Sequence, residues 1–483
     1  DLQQPALFSV NRYLMSEDEE ESVLVFVMHH IIADGWSLGV FISEWISLYQ
    51  QKQTEGEQAL EMPELQYADY ALWQRDWLSG ERLTGQIAFW QKALAGSTTL
   101  NLPTDFSRPA VQQYQGELLH FTLPASLHDA INLHAKLQEA TPFMVLMSAY
   151  MVMLARYAGQ DDICVGSPIA GRGQAQTQSM LGLFINTLTY RGDVAKQVSF
   201  NALIQQVRQF SLDAYANQDI PFEKLVDALK VTRDTSYTPV FQTLFTLQNT
   251  PEVDVSQLLS DVEVKLVPAH QKISKYDLSL ELAEKSGVYE ASFEYRTDLF
   301  SRETIERFSA HFVELLGHLL AQPEQSVYAL PMLTGTEQSL LLETWNETSL
   351  DYPSSKTIVQ IISGQALKYP EEIAAADAKV SISYRQLDEQ SAQLASRLMS
   401  LGVQPDQLVG LCVERSVRML VAMLAIAKAG GAYVPLDPLY PQDRLDYMLE
   451  DGGVSVLVTE LHLPTLGPDN LTRVFIDADW DEV

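Results

Sequence analysis

"VMHHIIADGWS", Val27 to Ser37, is the stretch on which the rest of the chain turns: an apolar run ends in two adjacent histidines, and Asp34 and Gly35 follow. Upstream, "SVLVFVMHH" (Ser22 to His30) is apolar, β-branched and of strand length, and downstream "DGWSLGVFISEWISLYQQK" has helical spacing. The histidines are expected at a strand end, entering a turn before a helix. Neighbouring side chains of a strand point to opposite faces, so His29 and His30 cannot both face one site. Val23, Val25 and Val27 on one face and Leu24, Phe26 and Met28 on the other are all apolar, so alternation leaves open which histidine meets a cavity.

Three readings of the pair stand at this point. Both histidines can be hydrogen-bonded structural residues. A metal site needs further ligands, and the sequence has neither H-E-x-x-H nor a Cys/His cluster, so no metal is expected. In the catalytic reading, an imidazole that titrates near neutrality acts as general base or as an oriented dipole. Asp34 would then hold the following turn, with Gly35 allowing tight backbone geometry.

The length of 483 residues suggests two or three compact bodies at roughly 150 residues each. Hydrophobic residues at 46% and charged residues at 20% are ordinary for a globular protein, so disorder is not the expectation. Asp plus Glu number 63 against 32 Lys plus Arg, a net charge of -31 that repels phosphate backbones and anionic lipid, so neither nucleic acid nor membrane is an expected partner. Part of this excess, "SEDEEES" (Ser16 to Ser22), reads as a solvated turn. Cys164 and Cys412 are far apart, which argues against a disulfide framework and fits two core residues in a reducing, cytoplasmic compartment. "PFMVLMSAYMVMLA" (Pro142 to Ala155) is too short to span a bilayer and reads as a buried helix, with Thr141 as N-cap and Pro142 at its first position. The chain opens on Asp1 without a secretory signal, and we read it as a fragment.

Further along, "MPELQYADYALWQRDWLSGERLTGQIAFWQKALAG" makes two amphipathic helices joined near Gly80, "VSFNALIQQVRQFSLDAYANQ" another helix, and "VFQTLFTLQN" and "YDLSLELAE" strands. A composition shift at Leu330 to Ser355, a short helix and then a Ser/Pro/Asn-rich passage, marks a linker. Beyond it "LVGLCV", "RSVRMLVAMLAIAKAGG", "AYVPL", "YPQDRLDYMLEDGG" and "VSVLVT" alternate strand and helix as an open α/β sheet does.

"HHIIADG" (His29 to Gly35) resembles the core motif of the condensation domains of nonribosomal peptide synthetases, relatives of chloramphenicol acetyltransferase. "YADYALWQRDWL", "LGLFINTLTYR", "NQDIPFEKLVDAL" and "RDTSYTPVFQTLFTLQN" follow in order, each similar to a later motif of that family. "ISYRQLDEQSAQLA" and "AIAKAGGAYVPLDPLYP" are similar to the first two motifs of amino-acid adenylation domains. The resemblance implies a two-lobed α+β, chloramphenicol acetyltransferase-like condensation domain over residues 1–329 whose N-terminal motifs are missing. A linker at 330–355 and an α/β N-terminal part of an adenylation domain at 356–483 follow.

Function is implied by the same resemblance. The family's catalytic histidine falls on His30, its Asp on Asp34, and His29 and Gly35 support the geometry. Arg172, in "PIAGRG", is the expected partner of Asp34, and Asn249, Tyr276 and Asp277 would line the floor of a substrate channel. The reaction is attack by the amine of an acceptor aminoacyl thioester on a donor peptidyl thioester, which needs two positioned substrates and one managed proton but no enzyme nucleophile. No G-x-S-x-G is present. The implied partners are donor and acceptor peptidyl carrier domains, with phosphopantetheine-linked substrates, and the rest of an antibiotic-type synthetase. No cofactor is expected on the fragment itself, ATP and Mg2+ being needed by a complete adenylation domain. "HHIIADGWSLGV" looks most like the subtype joining an L-configured donor to an L-configured acceptor. Rival readings are an epimerisation domain, which carries Val-Ser-Trp where this chain has Trp36, Ser37 and Leu38, and a silent recruitment domain, which tends to lose the second histidine. Tyr237 and Thr238 depart from the family's usual Arg and Asn. A cut lobe would expose apolar surface and make the chain poorly soluble.

Overall fold

The computed structural model describes residues 7–15, 21–53, 63–231, 234–248, 264, 267 and 272–478. The chain divides into two compact units, Asp1–Glu347 and Thr348–Val483.

In the first unit, β1 (Phe8–Leu14) and β2 (Ser22–Met28) form an antiparallel pair with Val10 opposite Phe26. Most of the acidic run between them, Ser16 to Glu20, lies outside the described residues. α1 (Gly35–Gln53) covers one face of the pair through Phe41, which meets Phe8 and Phe26 edge-on, and through Trp45 against Phe26. Phe8, Val10, Tyr13, Leu14 and Val27 remain exposed. The strand reading is corrected at its end: β2 stops at Met28, so His29 and His30 belong to a turn and strand alternation does not orient them. The cause is local, because the amides of Ile32 and Ala33 bond back to the carbonyls of His29 and His30 instead of to a neighbouring strand.

α2 (Tyr67–Trp77) and α3 (Gly80–Ala93) follow, broken where Gly80 takes a positive φ of 54°. The remaining elements of the unit are β3 (Gly116–Thr122), α4 (Ala125–Leu137), α5 (Pro142–Ala158), β4 (Asp162–Ile169), β5 (Asn186–Asp193), α6 (Phe200–Ala216), α7 (Phe222–Leu229), β6 (Thr243–Gln248), β7 (Leu278–Lys285), β8 (Val288–Arg296), α8 (Arg302–Ala321) and α9 (Gly335–Leu342). They build a six-stranded mixed sheet in the order β3-β8-β7-β6-β4-β5. β6 runs parallel to both β4 and β7, and the other pairs are antiparallel.

α5 is the centre of this core because it is apolar all round: Met144 to Ala155 are buried without a break, against β4 and the helices α4, α6 and α8. Thr141 caps it by accepting from the Met144 amide at 3.3 Å, and Gly159 ends it in the left-handed region. No single helix of the described residues is long and apolar enough to cross a membrane. α4 and α5 pass that test together by composition, but they meet at a bend of 107° and α5 is core.

The second unit holds α10 (Ile358–Lys368), a small pair of β9 (Ile373–Ala376) with β10 (Ser381–Ser383), α11 (Tyr384–Ser400), β11 (Leu408–Cys412), α12 (Val417–Lys428), β12 (Ala432–Pro435), α13 (Gln442–Asp451), β13 (Val456–Thr459) and β14 (Thr472–Phe475). β12-β11-β13-β14 form a four-stranded sheet that is parallel throughout. β14 is the strand that the alternation in the sequence does not reveal, since "TRVF" carries a charge between its apolar residues and is short.

Candidate active site

The turn after β2 places the two histidines differently. His29 is half-buried, its amide donates to the Leu7 carbonyl at 2.8 Å, and its Nδ1 accepts from the Ile31 amide at 3.1 Å. His30 is exposed, and among the described residues no hydrogen bond holds its ring. The orientation of that imidazole therefore comes from the turn that carries it, and the turn ends at Asp34.

Asp34 is the N-cap of α1: its carbonyl accepts from the Leu38 amide at 3.1 Å and its Oδ1 from the Ser37 amide at 2.8 Å. Only 3% exposed, it is met from the far side of the unit by the loop between β4 and β5. Phe184 donates its amide to Oδ2 at 3.0 Å, and Arg172 donates from Nη2 to Oδ1 at 2.9 Å. Arg172 is itself buried; its Nη1 reaches the carbonyls of Thr177 and Met180, and its guanidinium stacks 4.1 Å from the Phe184 ring centroid. Burial pushes the Asp34 carboxyl up, but the amides of Ser37 and Phe184, the Ser37 hydroxyl and Arg172 outweigh it and hold the group below the usual carboxylate range. A buried ion pair of this kind is costly to break from either side.

The same loop is fastened at further points. Trp36 donates its indole N–H to the Gln178 carbonyl at 2.9 Å, and Tyr67 its hydroxyl to the Leu183 carbonyl at 2.8 Å. Burial, and then the Asp34 charge, push the Tyr67 hydroxyl up, so it is a neutral donor. Two glycines permit the close fit. A Cβ on Gly171, at φ 64°, would overlap the Phe184 carbonyl, and one on Gly182 would overlap the Tyr67 ring.

The structure thus brings His30, His29, Asp34, Gly35 and Arg172 to one place, with Gly35 as the first residue of α1. The channel residues fare otherwise. Asn249 lies outside the described residues. Asp277, 2% exposed, lies inside a charge cluster, bonded by Arg108 Nη2 at 2.5 Å and Arg296 Nη1 at 3.2 Å. A lone buried carboxylate is too costly to leave unpaired, and two arginines from distant segments close over it. Tyr276 is half-buried and stacks on Phe241 with centroids 5.5 Å apart. Tyr237, which departs from the family pattern, lies under the Arg108 guanidinium at 4.0 Å, so its aromatic face serves the same cluster.

Ser37, Trp36, Tyr67 and Gly182 are site residues that sequence reasoning misses. All four lie in the quoted motifs, but their role depends on pairing across more than a hundred residues, which spacing cannot report. Neither cysteine offers a nucleophile: burial pushes Cys164 up to about 12 and Cys412 up to about 11. Among the described residues one cluster of metal-type side chains occurs, Glu414, Glu460 and His462 in the second unit. Its groups are engaged with one another, Glu460 accepting from the Glu414 amide at 2.8 Å and His462 Nε2 lying 3.2 Å from Glu414.

With this geometry in hand, comparison with known proteins gives the family. A family model described as "Condensation domain" matches residues 1–342, and one described as "AMP-binding enzyme" matches 362–480. One of the linear gramicidin synthase subunits of Brevibacillus parabrevis is 44% identical over 96% of this chain, and bacitracin synthase 3 of Bacillus licheniformis 38% over 95%. The chain spans 9% and 7% of those two proteins. Among solved structures, a four-domain nonribosomal peptide synthetase bound to AMP and glycine superposes with a TM-score of 0.84 at 26% identity, covering 99% of this chain and 37% of that one. The X-domain from teicoplanin biosynthesis shares the fold of 69% of the chain and covers 76% of its own, with a TM-score of 0.64 at 24% identity. The chain belongs to the condensation-domain family, its first unit a two-lobed chloramphenicol acetyltransferase-like domain and its second part of an adenylation domain.

Proposed function

We propose that this condensation domain joins a donor aminoacyl or peptidyl thioester to the amine of an acceptor aminoacyl thioester, with His30 as the group that manages the proton. The amine nitrogen attacks the thioester carbonyl, the new C–N bond forms as the C–S bond breaks, and the amine's proton ends on the departing thiol. The thioester is already activated, so what the protein must supply is alignment of two tethered substrates and one imidazole within reach of the amine proton. The observation that carries this reading is the exposed His30 on a turn whose end, Asp34, is locked by Arg172 and the loop beyond β4.

His30 serves as general base toward the amine or as a hydrogen-bonding anchor that orients it. Asp34 and Arg172 do not touch substrate; they keep the turn in place. The two substrates arrive on phosphopantetheine arms of a donor and an acceptor carrier domain, and the extended "HHIIADGWSLGV" favours L-configured partners. ATP and Mg2+ belong to the chemistry of a complete adenylation domain, of which the second unit is part.

The test is single-turnover amide formation between loaded donor and acceptor carriers, with His30→Ala against wild type. A loss of about a hundredfold or more in a folded variant supports the assignment. Near-full activity of folded His30→Ala overturns it, and release of an epimerised aminoacyl group instead of an amide would favour the isomerase reading.

A further inference from the structure

We infer that Ser37 is a positioning residue for amide formation, the hydroxyl that sets the register between the His30 turn and the loop that crosses to it. This rests on the function proposed above.

Ser37 is fully buried, and its hydroxyl stands at a crossing of four partners. It accepts from Arg172 Nη2 at 2.7 Å and from the Gly182 amide at 3.1 Å. Its one proton has two acceptors at the same 2.8 Å, Asp34 Oδ1 and the Gly182 carbonyl. A hydroxyl offers one donor and two lone pairs, so every bond it can make is used, and the choice of acceptor is shared between the carboxylate and the crossing loop. Asp34, Phe184, Trp36 and Tyr67 each fasten one point of the two segments. Ser37 alone among the described residues contacts the Asp34 carboxylate, the Arg172 guanidinium and both the amide and the carbonyl of Gly182.

The consequence reaches His30 because nothing else orients its ring among the described residues. The turn from His29 to Ala33 is held by two backbone bonds, one of them a long 3.4 Å, and its far end is Asp34. Removing the hydroxyl leaves the buried Gly182 amide without that partner and frees Asp34 Oδ1 from one of its three donors. The carboxylate and the loop can then slide against each other, and the imidazole moves with the turn. Since the hydroxyl touches neither substrate, the loss falls on the rate of the positioned complex and not on its formation.

The experiment compares wild type, Ser37→Ala and Ser37→Cys in this chain. One readout is carrier-dependent amide formation, and the other is backbone amide exchange at Gly182, Phe184, Ile32 and Ala33. Expected for Ser37→Ala is a fall in kcat on the order of tenfold with KM for either carrier unchanged, and Gly182 exchange faster by a similar factor. Cys keeps the volume but bonds weakly, so Ser37→Cys should behave like Ala. Full kcat in Ser37→Ala, or wild-type kcat in Ser37→Cys beside a loss in Ala, overturns the inference. So does a parallel loss of kcat, KM and melting temperature, which marks general destabilisation. If wild type forms no amide, the proposed function fails on its own account, and unchanged exchange at Gly182 and the turn in Ser37→Ala then refutes the register role separately.

Discussion

Replacing Arg172 by methionine should cost the first unit about 3–5 kcal/mol, because it strands a carboxylate in the interior. Asp34 is 3% exposed and Arg172 2% by side chain, so water cannot take over from the guanidinium. The Thr177 and Met180 carbonyls lose their donor at the same time. A unit of 347 residues has an unfolding entropy of about 0.7 kcal/mol/K, so the melting temperature should drop by about 4–7 °C. The acid limb adds a second signature. In wild type the folded Asp34 carboxyl lies below its unfolded value, so its stabilisation is fully present above about pH 4 and is lost as pH falls from there toward the depressed folded pKa. In Arg172→Met burial still raises that pKa while one lowering contact is gone, so the loss begins at higher pH. The assay is calorimetric melting of wild type, Arg172→Met, Asp34→Asn and the double variant across pH 3–7, a window of about four units that includes carboxylate titration. Asn is as good an N-cap as Asp, so Asp34→Asn mainly removes the charge. Adding it to Arg172→Met should restore at least about 1 kcal/mol. A loss below about 1 kcal/mol for Arg172→Met, or strict additivity in the double variant, would refute the buried-pair reasoning.

Gly171→Ala should destabilise by roughly 2–5 kcal/mol, read as a shift of the urea midpoint, because the new Cβ meets a carbonyl from a left-handed backbone. His29→Ala loses one half-exposed bond to the Ile31 amide and should cost only about 0.5–1.5 kcal/mol in the same denaturation assay, with amide formation within about tenfold of wild type. The buried His311 links Tyr157, whose hydroxyl lies 2.5 Å from Nδ1, to Glu337, 2.8 Å from Nε2, and Glu337 also closes the capping box of α9 with Thr334. Glu337→Ala should therefore raise amide exchange across Gly335–Leu342 by about tenfold while α5 and α8 keep their protection.

Legibility followed the range of the interactions. α1, α5 and the strand-helix alternation of the second unit were readable because apolar spacing, the Thr141 cap and the closing glycines act within a few residues. The end of β2 was not. The residues to His30 have strand character, and only the backbone bonds of Ile32 and Ala33 decide that both histidines belong to the turn. Asp34 was placed at the turn before a helical pattern, and its role as the N-cap of α1 is seen only in the structure.

What the sequence determined by itself is the strand-helix alternation of the second unit, the helix that centres the larger core, and the break between β2 and α1. The tertiary structure decided what fastens that turn. Arg172 is 138 residues from Asp34, Gly182 is 145 from Ser37, and Asp277 pairs with Arg108, 169 residues off. These contacts form because a carboxylate and a hydroxyl entering the interior must find partners wherever the packed chain brings them, and no local pattern encodes where that will be.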